Sequence, residues 1–370
     1  MARRASGRPT IADVAARAGV GAITVSRALR APHKVSPRLR ASIDAAIREL
    51  PYVPDLNARA LASSRTDVVA VLVPSLTQNI FSDVIRGVYD GLDDSGLHIE
   101  IVNTRYSVEL EETHVQRVLR HHPAGIIVSG VEQSAATRRM LETSGCPVVQ
   151  IMDLTDDPIQ KIIGFSHERA GYAMTRHLIE AGYRRITYFS GWMNTRSRER
   201  LGGYRRALEE SGLYDPGLIG QMGNDEDLAG AHQSHQHQFS TATMGRQLML
   251  EMLDRRPSVD AVFCNNDVLS IGALFACNAR GVSVPQQVGI AGFNDFDYME
   301  AAHPPLTSLR IHRWRCGYEA MMTIRHQLSG GEIGERIVDL GFEVMKRAST
   351  DRRGELAPAP ADVIVPFSRG

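Results

Sequence analysis

Residues 10–62, TIADVAARAGVGAITVSRALRAPHKVSPRLRASIDAAIRELPYVPDLNARALA, decide the fold. Thr10 predicts a helix cap, and Asp13 follows where a carboxylate favours the positive end of the helix dipole. Ile11, Val14, Ala15 and Ala18 then recur at helical spacing. Gly19 supplies a turn that tolerates positive φ. A second short helix over 22–29 turns Val25 and Ala28 inward. Small Ala15, then Gly19, then apolar Val25 is the pattern of a helix-turn-helix, because small side chains let two helices cross closely. A third helix has Ser36 as cap and Pro37 at its first position, with Leu39, Ile43, Ala46, Ile47 and Leu50 on one face.

Charge separates this stretch from the rest. Residues 1–65 carry twelve basic and four acidic side chains, about +8, whereas the 370-residue chain sums to zero. A basic headpiece on an acidic body suits a polyanion such as DNA. The cysteines Cys146, Cys264, Cys277 and Cys316 form no CxxC pair. Reduced core thiols are the expectation, with no metal site and no cofactor. No run approaches the length of a membrane span, and no apolar segment follows the basic start MARRASGRPT, so a cytoplasmic protein without a signal peptide is expected.

From Asp67 the chain alternates. DVVAVLVP is a continuous apolar run of the kind a buried parallel strand shows, and a helix follows over 81–92. Further strands read at IEIVN, GIIVSG, PVVQIM, KIIGF, RITYFSG, AVFCNND, VGIAGFND and TSLRI. Helices fall at about 109–121, 133–144, 168–181, 197–211, 243–255, 268–280 and 314–328. The alternation argues α/β with parallel sheets, and so many strands require two doubly wound lobes facing a cleft. The expected division is a helix-turn-helix headpiece over 1–53, a hinge helix and linker over 54–66, a two-lobed body over 67–350, and a tail over 351–370. The tail lacks the Leu heptads of a tetramerising helix, so a homodimer is expected. The His-bearing loop 221–241 (His232, His235, His237) lacks metal-ligand geometry.

TIADVAARAG, TVSRAL, KVSPRLR and YVPDLNARALA resemble the headpiece of LacI-type bacterial repressors. The resemblance implies that the second helix enters the major groove. Ala22, Ile23 and Arg27 then meet base edges, and Thr24 and Ser26 the DNA backbone. Thr10 and Arg38 join the DNA-facing set. An Arg can bond guanine O6 and N7 together, while Ala and Ile read a thymine methyl or shape. The family's hinge helix ends in Ala-x-x-Leu, here Ala58 to Leu61, whose Leu wedges into the minor groove. A segment this short is expected to fold only when paired over DNA. The body resembles the family's periplasmic-binding-protein-like effector domain through GFSHERAGYAMTRHLIEAGYRRITYFSG, RLGGYRRAL, AVFCNNDVLSIGAL, VGIAGFNDFD and PPLTSL. That fold implies lobe crossings near Phe165, Leu309 and Gly330. DLTDDPI and Asn194-Thr195-Arg196 to Arg200 are most similar to the gluconate-repressor branch.

Candidate effector contacts follow strand ends: Phe81 with Gln78 and Asn79, then Asp153, Arg196, Arg200, Asp267 and Asn294. Carboxylates and amides suit sugar hydroxyls, and an aromatic ring suits an apolar sugar face. Two arginines at one strand end, with Asn294 where sugar-binding relatives have Asp, point to an anionic sugar derivative. The expected function is therefore a DNA-binding regulator, a repressor of sugar-acid catabolism genes released by its effector. A solute-binding receptor, and a relative using a corepressor or a neutral or phosphorylated sugar, are the alternatives. GxGxxG, GxxxxGK[ST] and GxSxG are absent, so no enzymatic activity is expected.

Overall fold

The computed structural model describes residues 9–30, 34–50, 52, 65–92, 95–221 and 240–354. Ala58 and Leu61 of the expected hinge, the histidines of loop 221–241, and the tail from 355 onward lie outside the described residues. There are two compact units, and the chain leaves the first after Asp67.

The first unit is built on α1 (Ile11–Ala18), α2 (Ala22–Arg30) and α3 (Pro37–Glu49). Thr10 caps α1 as its spacing predicts. Its hydroxyl accepts from the Asp13 N–H, and the Asp13 carboxylate accepts from the Thr10 N–H at 2.7 Å. Each group satisfies a donor the helix start would leave unpaired. The Thr10 hydroxyl also donates to Asp13 and holds that carboxyl below its usual range. Gly19 closes α1 in the left-handed region at φ 67. Val14, Ala15, Val25, Ala28, Ile43 and Ala46 form the core. Two details of α3 differ from expectation. Ser36 stands at the cap position but its side chain makes no capping bond. Leu39 is 40% exposed. Three short helices enclose few positions each, and on α3 these are Ile43 and Ala46, with Ile47 and Leu50 at their edge.

The second unit has two α/β lobes. The first contains β1 (Val68–Val73), α4 (Asn79–Leu92), β2 (His98–Asn103), α5 (Val108–Arg120), β3 (Gly125–Ser129), α6 (Ala135–Glu142), β4 (Val148–Ile151) and β5 (Lys161–Gly164). The second contains α7 (His167–Glu180), β6 (Ile186–Ser190), α8 (Thr195–Glu210), β7 (Ile219–Gln221), α9 (Ala242–Arg255), β8 (Ala261–Cys264), α10 (Asp267–Arg280), β9 (Gly289–Asn294), α11 (Tyr298–Ala301) and β10 (Thr307–Ile311). The chain then returns to the first lobe with α12 (Arg313–Leu328) and β11 (Ile337–Asp339). It ends in the second with β12 (Phe342–Met345).

The first sheet runs β11-β5-β4-β3-β1-β2, with every pairing parallel. The second runs β12-β10-β9-β8-β6-β7, parallel except for antiparallel β12 on β10. The central strands carry unbroken apolar runs because helices cover both faces. The lobe crossings correct one expected position. Phe165 lies in the first crossing. The second is at His312, just past Leu309, and the third at Leu340–Gly341 rather than Gly330. Gly330 (φ 87) instead turns the chain after α12. The chain then adds β11 beside β5 before crossing.

Three helix pairs share one packing device. On α7 and α8, a Cβ added to Gly171 would overlap the Arg200 carbonyl, and one added to Gly203 would overlap that of Glu168. Gly87 and Gly317 do the same for α4 and α12, and Gly245 and Gly272 for α9 and α10. Backbones meet directly, and each glycine is required by its partner helix. Gly202, beside Gly203 in α8, faces open space. Gly203→Ala should therefore lower body stability by about 1–3 kcal/mol through overpacking. Gly202→Ala should raise it by about 0.5–1 kcal/mol through helix propensity. Thermal unfolding of both variants checks this, and equal effects would contradict the packing.

Candidate functional site

On the headpiece, α2 buries Val25 and Ala28 and thereby turns Ala22, Ile23 and Arg27 outward. Ile23 is 76% exposed, far more than an isoleucine in a closed core. Thr24 and Ser26 are half-buried. Arg17 pairs with Glu49 and Arg40 with Asp44, whereas Arg27 and exposed Arg38 have no ion-pair partner among the described residues. Thr10 is engaged in the capping box.

In the body, strand ends from both lobes enclose a cavity of about 310 Å³. The first lobe supplies Gln78, Asn79, Ile80 and Tyr106, and the second supplies Trp192, Arg196, Arg200, Asn265, Asn294 and Phe296. Tyr106 and Trp192 meet edge to face across the lobes at 5.0 Å. The Tyr106 hydroxyl donates to Gln78 at 2.7 Å, and burial pushes it up to about 12, so it stays neutral.

A buried chain of charged and polar groups lies under this cavity. Arg196 belongs to α8 of the second lobe, yet its Nε donates to Asp153 at 2.7 Å and its Nη2 to Ser129 at 3.1 Å, both in the first. Gly130, at φ 101, leaves room for that guanidinium. Burial alone would raise the Asp153 carboxyl, but Arg196 and then His167 outweigh it and hold it low. Arg200 sits one helical turn on. Its Nε donates to His167 Nδ1 at 3.1 Å, and its Nη1 donates to the Asn265 carbonyl and Oδ1 at 2.7 and 2.6 Å. The guanidinium lies 3.8 Å from the Phe293 ring centroid. A guanidinium only donates, so His167 Nδ1 accepts and Nε2 carries the proton toward Asp153 and the Met152 carbonyl. Burial, reinforced by Arg200, pulls His167 down to about 4, and burial pulls Arg200 down to about 10. The histidine is neutral and the arginine charged. Among the described residues no carboxylate pairs with Arg200.

Asn294 ends β9 at φ 115, and its Oδ1 is buried with no hydrogen-bond partner. A buried acceptor left unpaired is costly, and a donor entering the cavity would satisfy it. Its carbonyl accepts from Arg313, whose Nε also reaches Asp83 of the first lobe at 2.9 Å.

Three expected contacts lie elsewhere. Phe81 shares the buried face of α4 with Val84 and Val88, and its neighbours Asn79 and Ile80 line the cavity instead. Asp267 is fully buried at the start of α10 and accepts from the Ser308 hydroxyl and the Phe296 N–H at 2.6 and 2.9 Å. Burial pushes it up to about 7. It bolts β10 and the β9 loop to α10, and its neighbours Asn266 and Val268 reach the cavity. Asp153 acts through Arg196 rather than lining the cavity. Sequence reasoning missed Tyr106, His167, Trp192, Asn265 and Phe296. The strand-end rule that found Asn294 applies equally to Tyr106, Trp192, Asn265 and Phe296, each of which follows a strand within a few residues.

A helix-turn-helix unit and a two-lobed body with a polar, solute-sized cleft define a ligand-sensing DNA-binding regulator. Residues 10–55 match the model of bacterial regulatory proteins of the lacI family, and residues 175–350 match the periplasmic binding protein-like domain. The chain is 39% identical to the HTH-type transcriptional regulator GntR of Pseudomonas aeruginosa, over 94% of this chain and 97% of that one. It is 31% identical to GntR of Escherichia coli K12, over 90% and 96%. A LacI family regulator from Silicibacter pomeroyi superposes with a TM-score of 0.82 at 32% identity, covering 93% of this chain and all of that one. The chain belongs to the LacI family of DNA-binding transcriptional regulators. No described helix is long and apolar enough to cross a membrane.

His167 carries a pH signature. The folded value near 4 lies below the unfolded value of about 6.5, so unfolded chains take up the proton first on acidification. Its contribution is intact above pH 6.5 and is lost as pH falls toward 4, at most on the order of 3 kcal/mol. His167→Gln should flatten this part of the acid limb of stability against pH. An unchanged limb would show that His167 is not buried neutral.

Proposed function

We propose that the protein is a repressor that binds a pseudo-palindromic operator as a homodimer and leaves it when a gluconate-like sugar acid fills the cleft. The observation that carries the ligand is the pairing of Arg200, charged and without a carboxylate partner among the described residues, with the unpartnered Asn294 Oδ1. A carboxylate satisfies the first, and an adjacent hydroxyl donates to the second. Arg196 plays a different part. Its charge is matched by Asp153, so it ties the lobes together while Arg200 anchors the ligand. The cavity of about 310 Å³ lies at the small end of ligand pockets and fits a six-carbon solute.

Exposed Ile23 and Arg27 on α2 support major-groove reading, with Ala22 beside them, Thr24, Ser26 and Arg38 on the DNA backbone, and Ala58 and Leu61 at the minor groove. Thr10 contributes by fixing the start of α1. Tyr89 on α4 and Trp314 and Met322 on the adjacent α12 are 50%, 38% and 37% exposed, which supports pairing of two copies through these helices. The linkage is simple: the ligand releases DNA only if it binds the DNA-free arrangement of the lobes more tightly.

A gel shift on operator DNA with and without gluconate tests the reading. Release by gluconate but not by glucose is expected, and binding strengthened by gluconate would reverse the sign of control. Arg27→Ala should cost about 1–3 kcal/mol on the operator and relax preference at one base pair. Equal loss on every sequence would remove base reading. For the ligand, Asn294→Asp places a second charge beside the anion and should weaken gluconate binding at least about tenfold. Unchanged calorimetric affinity would move the acid group away from Asn294.

A further inference from the structure

Resting on the sugar-acid reading above, we propose that the cleft selects a polyol with a single acid group. The carboxylate sits on Arg200, the hydroxylated end points toward Glu111, Glu132 and Gln133, and a second anionic group is refused there.

The two ends of the cleft differ in charge. At the Arg200 end, the guanidinium contacts neutral His167, the Asn265 amide and the Phe293 ring, none of which cancels its charge. The unpartnered Asn294 Oδ1 lines the same cavity and is only 5% exposed. It marks the cleft as built to receive a donor. Beside it lies a smaller cavity, an annex of about 40 Å³, with Tyr106, Asn194 and Arg196 in the walls of both. This volume holds little more than a water or a terminal hydroxymethyl group.

The annex is acidic. Glu111, on α5, is 8% exposed and burial pushes it up to about 7, so it is partly ionised near neutrality. Glu132, in the loop after β3, is exposed and has no ion-pair partner among the described residues. Among the described residues the cation on the annex wall is Arg196, already matched by Asp153 at 2.7 Å. Ionised carboxylates here therefore outnumber the cation. A hydroxyl donates to either glutamate and suits this end. A phosphate or second carboxylate brings acceptors and like charge to it.

Calorimetric titration of the full-length protein tests this with gluconate, the corresponding six-carbon diacid, 6-phosphogluconate and glucose, on the wild type and on Glu132→Gln. Gluconate should bind, with the diacid and the phosphorylated acid at least about tenfold weaker. Because Glu132 is exposed and screened, Glu132→Gln should narrow that gap by about threefold. A diacid or phosphorylated acid that binds the wild type as tightly as gluconate would overturn the selection while leaving the sugar-acid reading in place. So would a gap unmoved by Glu132→Gln. Binding of glucose without any acid would remove the sugar-acid reading itself, and this inference with it.

Discussion

The close approach of α7 and α8 at Gly171 and Gly203 is the constraint on which the cleft depends. With no Cβ on either side, the Arg200 carbonyl rests against Gly171 and the Glu168 carbonyl against Gly203. That distance places Arg200 Nε on His167, the first residue of α7, at 3.1 Å. A methyl group inserted at the crossing would move α8 outward and carry both of its arginines with it. Core packing that changes by one carbon is felt because protein interiors are close-packed. The site's geometry is thus inherited from two glycines that touch no ligand. The same crossing on α4 and α12, and on α9 and α10, makes the body a set of rigid helix pairs.

On that frame the two arginines of α8 have separate tasks. Arg196 crosses the lobe boundary to Asp153 and Ser129, and Arg200 stays within its own lobe. A buried ion pair gains little net stability, because desolvation offsets much of the Coulomb attraction. Removing one partner leaves the other charge buried and unpaired, which costs far more. Arg196–Asp153 is therefore better understood as a device that specifies one lobe arrangement than as a source of stability. His167 extends it, donating toward Asp153 and accepting from Arg200. Through this neutral ring Arg200, the proposed ligand anchor, and the lobe link share one hydrogen-bonded chain.

The fold was legible wherever hydrophobic period and turn chemistry agreed. The Thr10–Asp13 box, Gly19 and the long apolar strands all stand where their residues predict. The short strands β7, β11 and β12 escaped because all three lie at sheet edges and are only partly buried, so no continuous apolar run marks them. The site was legible to the level of strand ends and no further. Phe81 and Asp267 stand at the right places in the chain, yet each turns into its own lobe, and Ile80 and Asn266 face the cavity instead. Which of two consecutive residues points into a cleft depends on where a helix begins and how it rolls against the sheet. No pattern in this sequence specifies that to a single residue. The glycine crossings were hidden for a related reason: Gly202 and Gly203 stand side by side in α8, and it is the partner helix that distinguishes them.

Control of DNA binding from the cleft requires a ligand that touches both lobes unequally in two arrangements, since equal affinity shifts nothing. Contacts that cross the lobes around the cavity include Arg196 and His167 to Asp153 and Tyr106 against Trp192, while Arg313 of α12 pairs with Asp83 inside the first lobe. Arg313 also holds the carbonyl of Asn294, the residue with the unpaired Oδ1. A donor on that oxygen therefore acts on a residue already held at φ 115 and tied to α4 through one arginine. Left-handed backbone at a non-glycine residue persists only where its surroundings over-determine it. Here Arg313 and the Asp295 ion pairs with Arg310 and Arg347 supply that determination. On the proposed reading, a ligand donor at Asn294 would meet a held, strained backbone rather than a compliant loop, and its binding energy would be felt at Asp83, across the lobe boundary.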